Sequence, residues 1–186
     1  MDGLFVSEAG RKLFAEVVLP HLDSAHRLAR GLTGNAADAE DVVQDACLRA
    51  LKGIDGYSGG NARAWLLAIT RNAAFTFLAR HRSRSLVMSA DAEEAERAME
   101  YAPDPGAGAE ASLIAQADAA AIERALAALP APFREIVILR EYNDLSYREI
   151  AEVIRAPIGT VMSRLARARA LLLAALAPDA IRKTAS

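Results

Sequence analysis

Apolar residues recur at spacings of three and four along most of the chain, the signature of helices with one buried face. A first helical region is predicted from Glu8 to about Leu32, with Phe14, Val17, Val18, Leu22, Ala25, Leu28, Ala29 and Leu32 in register. Pro20 lies inside it and is expected to kink or divide it. Gly34-Asn35 reads as a stop followed by a cap. The next helix, about Ala36 to Leu51, keeps Ala39, Val42, Val43, Ala46 and Ala50 on its inner face. A loop rich in glycine, Gly53 to Gly60, then leads to Asn61, which is placed to cap a long helix from Ala62 to about His81. Trp65, Leu66, Ile69, Ala73 and Phe77 are its expected core.

Ser83 to about Glu110 lacks an apolar period and is rich in Ala, Pro and Gly. It reads as a linker with at most a short helix around Ala90 to Met99. Helix returns at about Ala111 to Leu129, breaks at Pro130-Ala131-Pro132, and restarts through Phe133 to Tyr142, with Phe133, Ile136, Val137 and Leu139 inward. Asn143-Asp144 makes a turn. The chain is therefore expected to be all-α, with two small helical domains at 8–84 and 113–178 joined by a flexible acidic linker at 85–112.

The sharpest local pattern runs from Leu145 to Arg169. Ser146 and Glu149 have the spacing of a capping box, and Leu145 and Ile150 flank it as a hydrophobic staple. Pro157 ends the first helix at Arg155-Ala156 and suits the first turn of a second one. In that second helix Ile158, Val161, Leu165, Ala168 and Leu172 form the predicted buried stripe. Thr160, Met162, Ser163, Arg164, Arg167 and Arg169 face outward, with no acidic residue from Arg155 to Arg169. A short hydroxyl- and arginine-bearing face on the second of two such helices suits reading of a DNA major groove, because Arg takes guanine edges in bidentate fashion.

Charge sharpens this picture. The whole chain carries only −2, unlike a protein that coats nucleic acid, yet its charges are segregated. From Gly56 to Ala90 every charged residue is an arginine: Arg63, Arg71, Arg80, Arg82 and Arg84. From Asp91 to Asp118 eight acids stand against one arginine. One stretch attracts phosphate and the other repels it. The long helix interleaves Arg63, Thr70, Arg71, Asn72, Phe75, Thr76, Arg80 and His81, a mixture that suits unstacked nucleic acid as well as a plain basic bundle face. Asp38, Glu40, Asp41 and Asp45 crowd the first turns of the helix from Ala36. They fit the helix dipole or a protein-docking surface better than catalysis, since no Glu-x-x-His companion exists.

Composition removes other classes. Hydrophobic residues make up 53% and aromatics only 5%, which favours packed helices. Cys47 is the sole cysteine, so no intrachain disulfide or multi-cysteine zinc site is expected, and His21, His26 and His81 lack ligand spacing. No cofactor, metal or catalytic constellation is expected: the chain lacks a Gly-rich phosphate loop and a nucleophile-base pair. The start lacks signal-peptide character and no apolar run reaches a membrane span, so a cytoplasmic, soluble protein is expected.

Four stretches, Leu32 to Ala50, Ala64 to Asn72, Leu129 to Val137 and Leu145 to Arg169, together resemble, in order and spacing, the extracytoplasmic-function (group 4) branch of the sigma-70 family. The resemblance implies a bacterial RNA polymerase subunit built of sigma regions 2 and 4. It implies docking on the largest-subunit clamp helices through Asp41, Gln44 and Asp45, and contact of the second domain with the flap. It implies minus-10 recognition and melting through Arg63, Arg71, Asn72, Phe75, Thr76 and Arg80, with Asn72 in the base pocket. Minus-35 recognition is implied for Arg148, Thr160, Met162, Ser163, Arg164 and Arg167, with Met162, Ser163, Ala166 and Arg167 towards bases and Arg164 near phosphate. Met162 replaces the family's usual Lys or Arg, Ala166 is small, and Thr76 replaces a common Asp or Asn. The acidic linker would run towards the RNA exit channel, and an anti-sigma factor is the implied regulator. A free-standing dimeric helix-turn-helix regulator is the alternative on the residues alone.

Overall fold

The computed structural model describes residues 7–88 and 109–183. Within them the chain forms eight α-helices and no strand: α1 Glu8–Val17, α2 Leu22–Thr33, α3 Ala36–Gly53, α4 Ala62–Met88, α5 Ala109–Ala128, α6 Ala131–Val137, α7 Tyr147–Ile154 and α8 Ile158–Lys183. The short helix expected around Ala90 to Met99 lies outside the described residues.

Local chemistry sets most of the boundaries. Pro20 divides the first helical region, occupying a single 3-10 turn at Leu19–His21 between α1 and α2. Gly34 closes α2 in the left-handed conformation, at φ 87°, where an L side chain is disfavoured. Asn35 caps α3 by accepting from the Asp38 amide at 2.8 Å. Asn61 does the same for α4, its Oδ1 accepting from the Ala64 amide at 3.0 Å. The capping box of α7 is complete: the Ser146 hydroxyl accepts from the Glu149 amide at 3.3 Å, and Glu149 Oε2 accepts from the Ser146 amide at 2.8 Å. Leu145 and Ile150 beside it are fully buried. α7 ends on Arg155 in the left-handed region, φ 52°.

Several elements differ from their sequence reading. α3 continues through Gly53, and a 3-10 turn at Ile54–Gly56 buries Ile54, so the first half of the glycine-rich stretch is ordered around an apolar anchor. α4 runs on to Met88, past the end expected near His81. After α6 the chain tightens into a π-helical turn, Ile138–Tyr142, in which the Asn143 amide donates to the Ile138 carbonyl at 3.1 Å. Ile158, expected in the buried stripe of α8, is 44% exposed, whereas Val161, Leu165 and Ala168 are buried. It stands in the first turn, before the helix has reached its neighbours. Thr70, expected on the open face of α4, is fully buried, its hydroxyl donating to the Leu66 carbonyl at 3.0 Å.

The helices form two units. α2, α3 and α4 pack on one another, with α1 along their edge; α6, α7 and α8 pack together, with α5 against α8. A small apolar cluster of Val17, Val18, Ala25, Ala50, Ile54 and Leu66 belongs to the first unit alone. A larger cluster crosses from one unit to the other, from Leu28, Leu32, Val42 and Leu67 to Ile136, Leu139, Ile150 and Leu165. α4 packs on α7, and α2 packs on α6 and the π-helical turn. This explains Thr70: α4 has neighbours on two sides. Each fully buried Leu or Ile contributes about 1.5–3 kcal/mol, so a shared cluster presses the units together. At the seam, a Cβ on Gly31 would lie 2.5 Å from Ile138 Cδ1, so the absence of a side chain permits the approach.

Replacing Ser146 with Ala is expected to destabilise the chain by about 1 kcal/mol through loss of the cap, measured as a shift in the urea midpoint with an unchanged slope. An unaltered midpoint would mean that the capping box is not contributing.

Candidate nucleic-acid interface

Three faces were expected to carry function, and the structure treats them differently. On α3, Asp41 and Gln44 are exposed, and Asp45 is half-buried in an ion pair with Arg49 at 2.7 Å. Asp41, Gln44 and Asp45 share one side of the helix. Leu48, four positions after Gln44, joins them and is 52% exposed; the sequence reading passed over it, although its spacing from Gln44 was visible.

On α4 the six candidates separate. Asn72 and Arg80 are exposed and Thr76 is half-buried; a spacing of four aligns the three along one line. The Thr76 hydroxyl donates to the Asn72 carbonyl at 2.8 Å. Phe75 is half-buried beneath the Arg71 guanidinium, which lies 4.8 Å from the ring centre, a cation–π contact. Arg71 and Arg63 point into the seam. Arg71 Nε donates to Glu135 Oε2 at 2.6 Å and its Nη2 to Oε1 at 3.3 Å. Arg63 Nη2 donates to the Asn143 carbonyl, and its Nε donates to the Ser24 hydroxyl at 3.1 Å.

On α8, Met162, Ser163, Ala166 and Arg167 are exposed and Thr160 is half-buried. The Ser163 hydroxyl donates to the Thr160 carbonyl at 3.1 Å. Met162, at 54% exposure, puts an apolar group on this otherwise polar face. Arg148, on α7, is exposed. Arg164 instead leans back towards α6, 3.7 Å from Glu135 Oε1. Arg169 pairs with Glu141 at 2.9 Å.

Sequence reading missed the groups that receive these side chains. Glu135 is 1% exposed and takes arginines from both units. Asn143 is fully buried and offers its carbonyl to Arg63, while its own Oδ1 has no hydrogen-bond partner. Glu149 accepts from Asn61 Nδ2 at 2.9 Å, so the caps of α4 and α7 are joined to each other. A Glu at the head of the apolar run Ile136 to Leu139 was the available signal; the identity of its partner was not.

Burial pushes the Cys47 thiol up, away from a reactive thiolate. Burial, and then the Arg63 charge, lower His21. Among the described residues no group of His, Cys, Asp and Glu is assembled that could hold a metal ion, and no helix is long and apolar enough to cross a membrane.

A two-unit helical protein with an acidic face on α3, a basic first-unit helix and a helix-turn-helix in the second has the organisation of a sigma-type promoter reader. Residues 17–84 match the sigma-70 region 2 family and residues 119–172 the sigma-70 region 4 family. The chain is 34% identical over 140 residues to the ECF RNA polymerase sigma-E factor of Escherichia coli, covering 72% of this chain and 71% of that protein. It is 35% identical over 162 residues to the ECF RNA polymerase sigma factor SigE of Mycolicibacterium smegmatis, covering 87% of this chain and 61% of that longer relative. The sigma factor RpoE of Bartonella quintana, solved in complex with the anti-sigma factor NepR, superposes with a TM-score of 0.70 at 27% identity, over 88% of this chain and 96% of that one. CnrH, solved with the cytosolic domain of CnrY, shares the fold, with a TM-score of 0.63 at 24% identity over 91% and 90%. This chain belongs to the extracytoplasmic-function family of RNA polymerase sigma factors.

The Ser146 amide, first, and then the Ser146 hydroxyl and the Asn61 amide hold the Glu149 carboxyl below its ordinary value. A lowered folded value stabilises above the unfolded value of about 4.3, and that stabilisation is lost as the pH falls from there through the folded value. The melting temperature of the wild type is therefore expected to exceed that of Glu149→Gln by a constant margin at neutral pH, and the margin to shrink below pH of about 4. A margin that did not change in acid would show that the charge of Glu149 plays no part.

Proposed function

We propose that this protein directs bacterial core RNA polymerase to specific promoters and has no catalytic group of its own. Residues 8–84 form the unit that docks on the polymerase and opens the minus-10 element, 113–178 form the minus-35 reader, and 85–112 link them. The observation that carries this reading is the exposed, acid-free face of α8, with Ser163 and Arg167 outward on the second helix of a capped helix-turn-helix, in a chain whose first half matches region 2.

The roles of single residues rest on the family resemblance, supported by which side chains are exposed. Asp41, Gln44 and Asp45 are the docking residues for the clamp helices of the largest subunit, and the second unit meets the flap. Asn72, Thr76 and Arg80 already face outward for minus-10 DNA, with Phe75 as a stacking surface and Arg63 and Arg71 for phosphates. In the minus-35 element Met162, Ser163, Ala166 and Arg167 face bases, Thr160 and Arg148 flank them, and Arg164 serves phosphate. The modest net charge of −2 fits a protein that shares promoter affinity with its polymerase. An anti-sigma factor is the proposed regulator, supported by the similar sigma factor RpoE of Bartonella quintana, solved in complex with the anti-sigma factor NepR. The protein acts in the cytoplasm. A dimeric helix-turn-helix regulator would leave the whole α1–α4 unit without a task.

Run-off transcription from a promoter library is expected to be template-selective only when this protein accompanies core polymerase. Arg167→Ala is expected to cost about 1–3 kcal/mol at one minus-35 base and to relax specificity there, whereas Asp41→Ala lowers initiation on all promoters alike. A change of promoter preference in Asp41→Ala would contradict the docking role. Tight, symmetric footprints by the protein alone, with no initiation, would favour the dimeric regulator.

A further inference from the structure

The outward side of α8 carries two strips of different chemistry. Thr160, Ser163 and Arg167 form one, bearing hydroxyls and a guanidinium. Ile158, Met162 and Ala166 follow one another at a spacing of four, which aligns them in a second line beside the first. Ile158 is 44% exposed and Met162 54%, and Ala166 is exposed as well. Apolar groups scattered singly over a surface are ordinary, but a run of them in one line makes a continuous strip.

The strip has the dimensions and the charge setting for a DNA groove. From Ile158 to Ala166 the helix rises about 12 Å, at about 1.5 Å per residue, and a B-DNA major groove is about 12 Å wide. No acidic residue occurs from Arg155 to Arg169, so the helix itself does not repel phosphate across this length. The line then reaches Arg169, which Glu141 holds at 2.9 Å. That carboxylate is the first negative charge beside the line, and it marks where the contact with DNA ends.

What the groove offers an apolar side chain is the C5-methyl group of thymine, because the other base edges present hydrogen-bond donors and acceptors. The Met162 thioether is a weak acceptor and no donor. Set over a guanine, cytosine or adenine edge, it would strip polar groups of water without pairing them, which is costly. Set over a thymine methyl, it removes apolar area from water on both sides of the contact. Its unbranched, polarizable chain adapts to the position of the methyl, with Ile158 and Ala166 closing the strip on either side.

We propose that Met162, flanked by Ile158 and Ala166, is a specificity-determining residue that selects a T·A pair in the minus-35 element through the thymine methyl group. The proposal rests on the promoter-reading role of α8 and deepens it: Arg167 reads a base by hydrogen bonds, and Met162 reads another by an apolar contact.

Deoxyuridine differs from thymidine only by that methyl, which makes the test direct. On a template that the run-off library selects, each thymine of the minus-35 element, on either strand, is replaced singly by deoxyuridine, and initiation is measured at limiting holoenzyme. With the wild-type protein, one replacement is expected to lower initiation about fourfold, the value of one buried methyl group. Met162→Ala is expected to initiate less well on the thymine template and to lose nothing further on the deoxyuridine one. Met162→Lys is expected to move the library's preference at that position to guanine. The position is exposed, and unchanged circular dichroism checks that both variants fold. Equal deoxyuridine losses in wild type and Met162→Ala at every position would overturn the proposal, as would a selected minus-35 element without thymine. A uniform fall on all templates in Met162→Ala, with no methyl effect, would set the strip against polymerase and overturn it too. Template selection that survives without any methyl effect sinks this inference alone, whereas a wild-type protein that confers no selection sinks the promoter role and this inference together.

Discussion

α4 has to satisfy two neighbours at once, and the rest of the molecule depends on that constraint. Its Leu66 belongs to the apolar cluster of the first unit, and its Ala64, Leu67, Ala73 and Ala74 belong to the cluster that the two units share. Beside them stand Arg63 and Arg71, where the seam becomes polar. The apolar part supplies most of the attraction, because it removes area from water. The polar part sets register: a bidentate guanidinium–carboxylate pair tolerates little displacement. A slip of one helical turn would leave Glu135 without Arg71 and Asn143 without Arg63.

That double duty explains what could be read from the sequence. Caps were legible because they are local. Asn35, Asn61 and the Ser146–Glu149 box each use a side chain and an amide within three residues, and Pro20 acts on its own turn. The helix-turn-helix was legible for the same reason, and so was the all-α class, since period alone carries it. Thr70 was misplaced because a threonine between arginines has the pattern of an open face; only the arrival of another helix buries it. Ile158 was misplaced because position in a periodic stripe says nothing about whether a neighbour extends that far.

The candidate site divides along the same line. Asp41, Gln44, Met162, Ser163 and Arg167 stand outward as their spacing indicates. The partners of Arg63, Arg71 and Arg164 lay beyond local reading: Glu135 is 64 residues from Arg71, and Asn143 is 80 residues from Arg63. Neither separation leaves a periodic trace. Glu135 follows Arg134 and heads the apolar run Ile136, Val137, Ile138 and Leu139; burial there is expensive and implies a cation, but the source of that cation is set by the fold.

The long separation between Arg71 and Glu135 also has a meaning in time. Ribosomes add about 5–20 residues per second and domains fold as they emerge, so the 64 residues between the two side chains correspond to roughly 3–13 seconds of synthesis. Throughout that interval the first unit can be folded while the carboxylate meant for its arginine has not yet been made. In a newborn chain Arg71 therefore waits, still hydrated, for the carboxylate that orders it in the finished fold, and the seam between the units is the last part of the molecule to form.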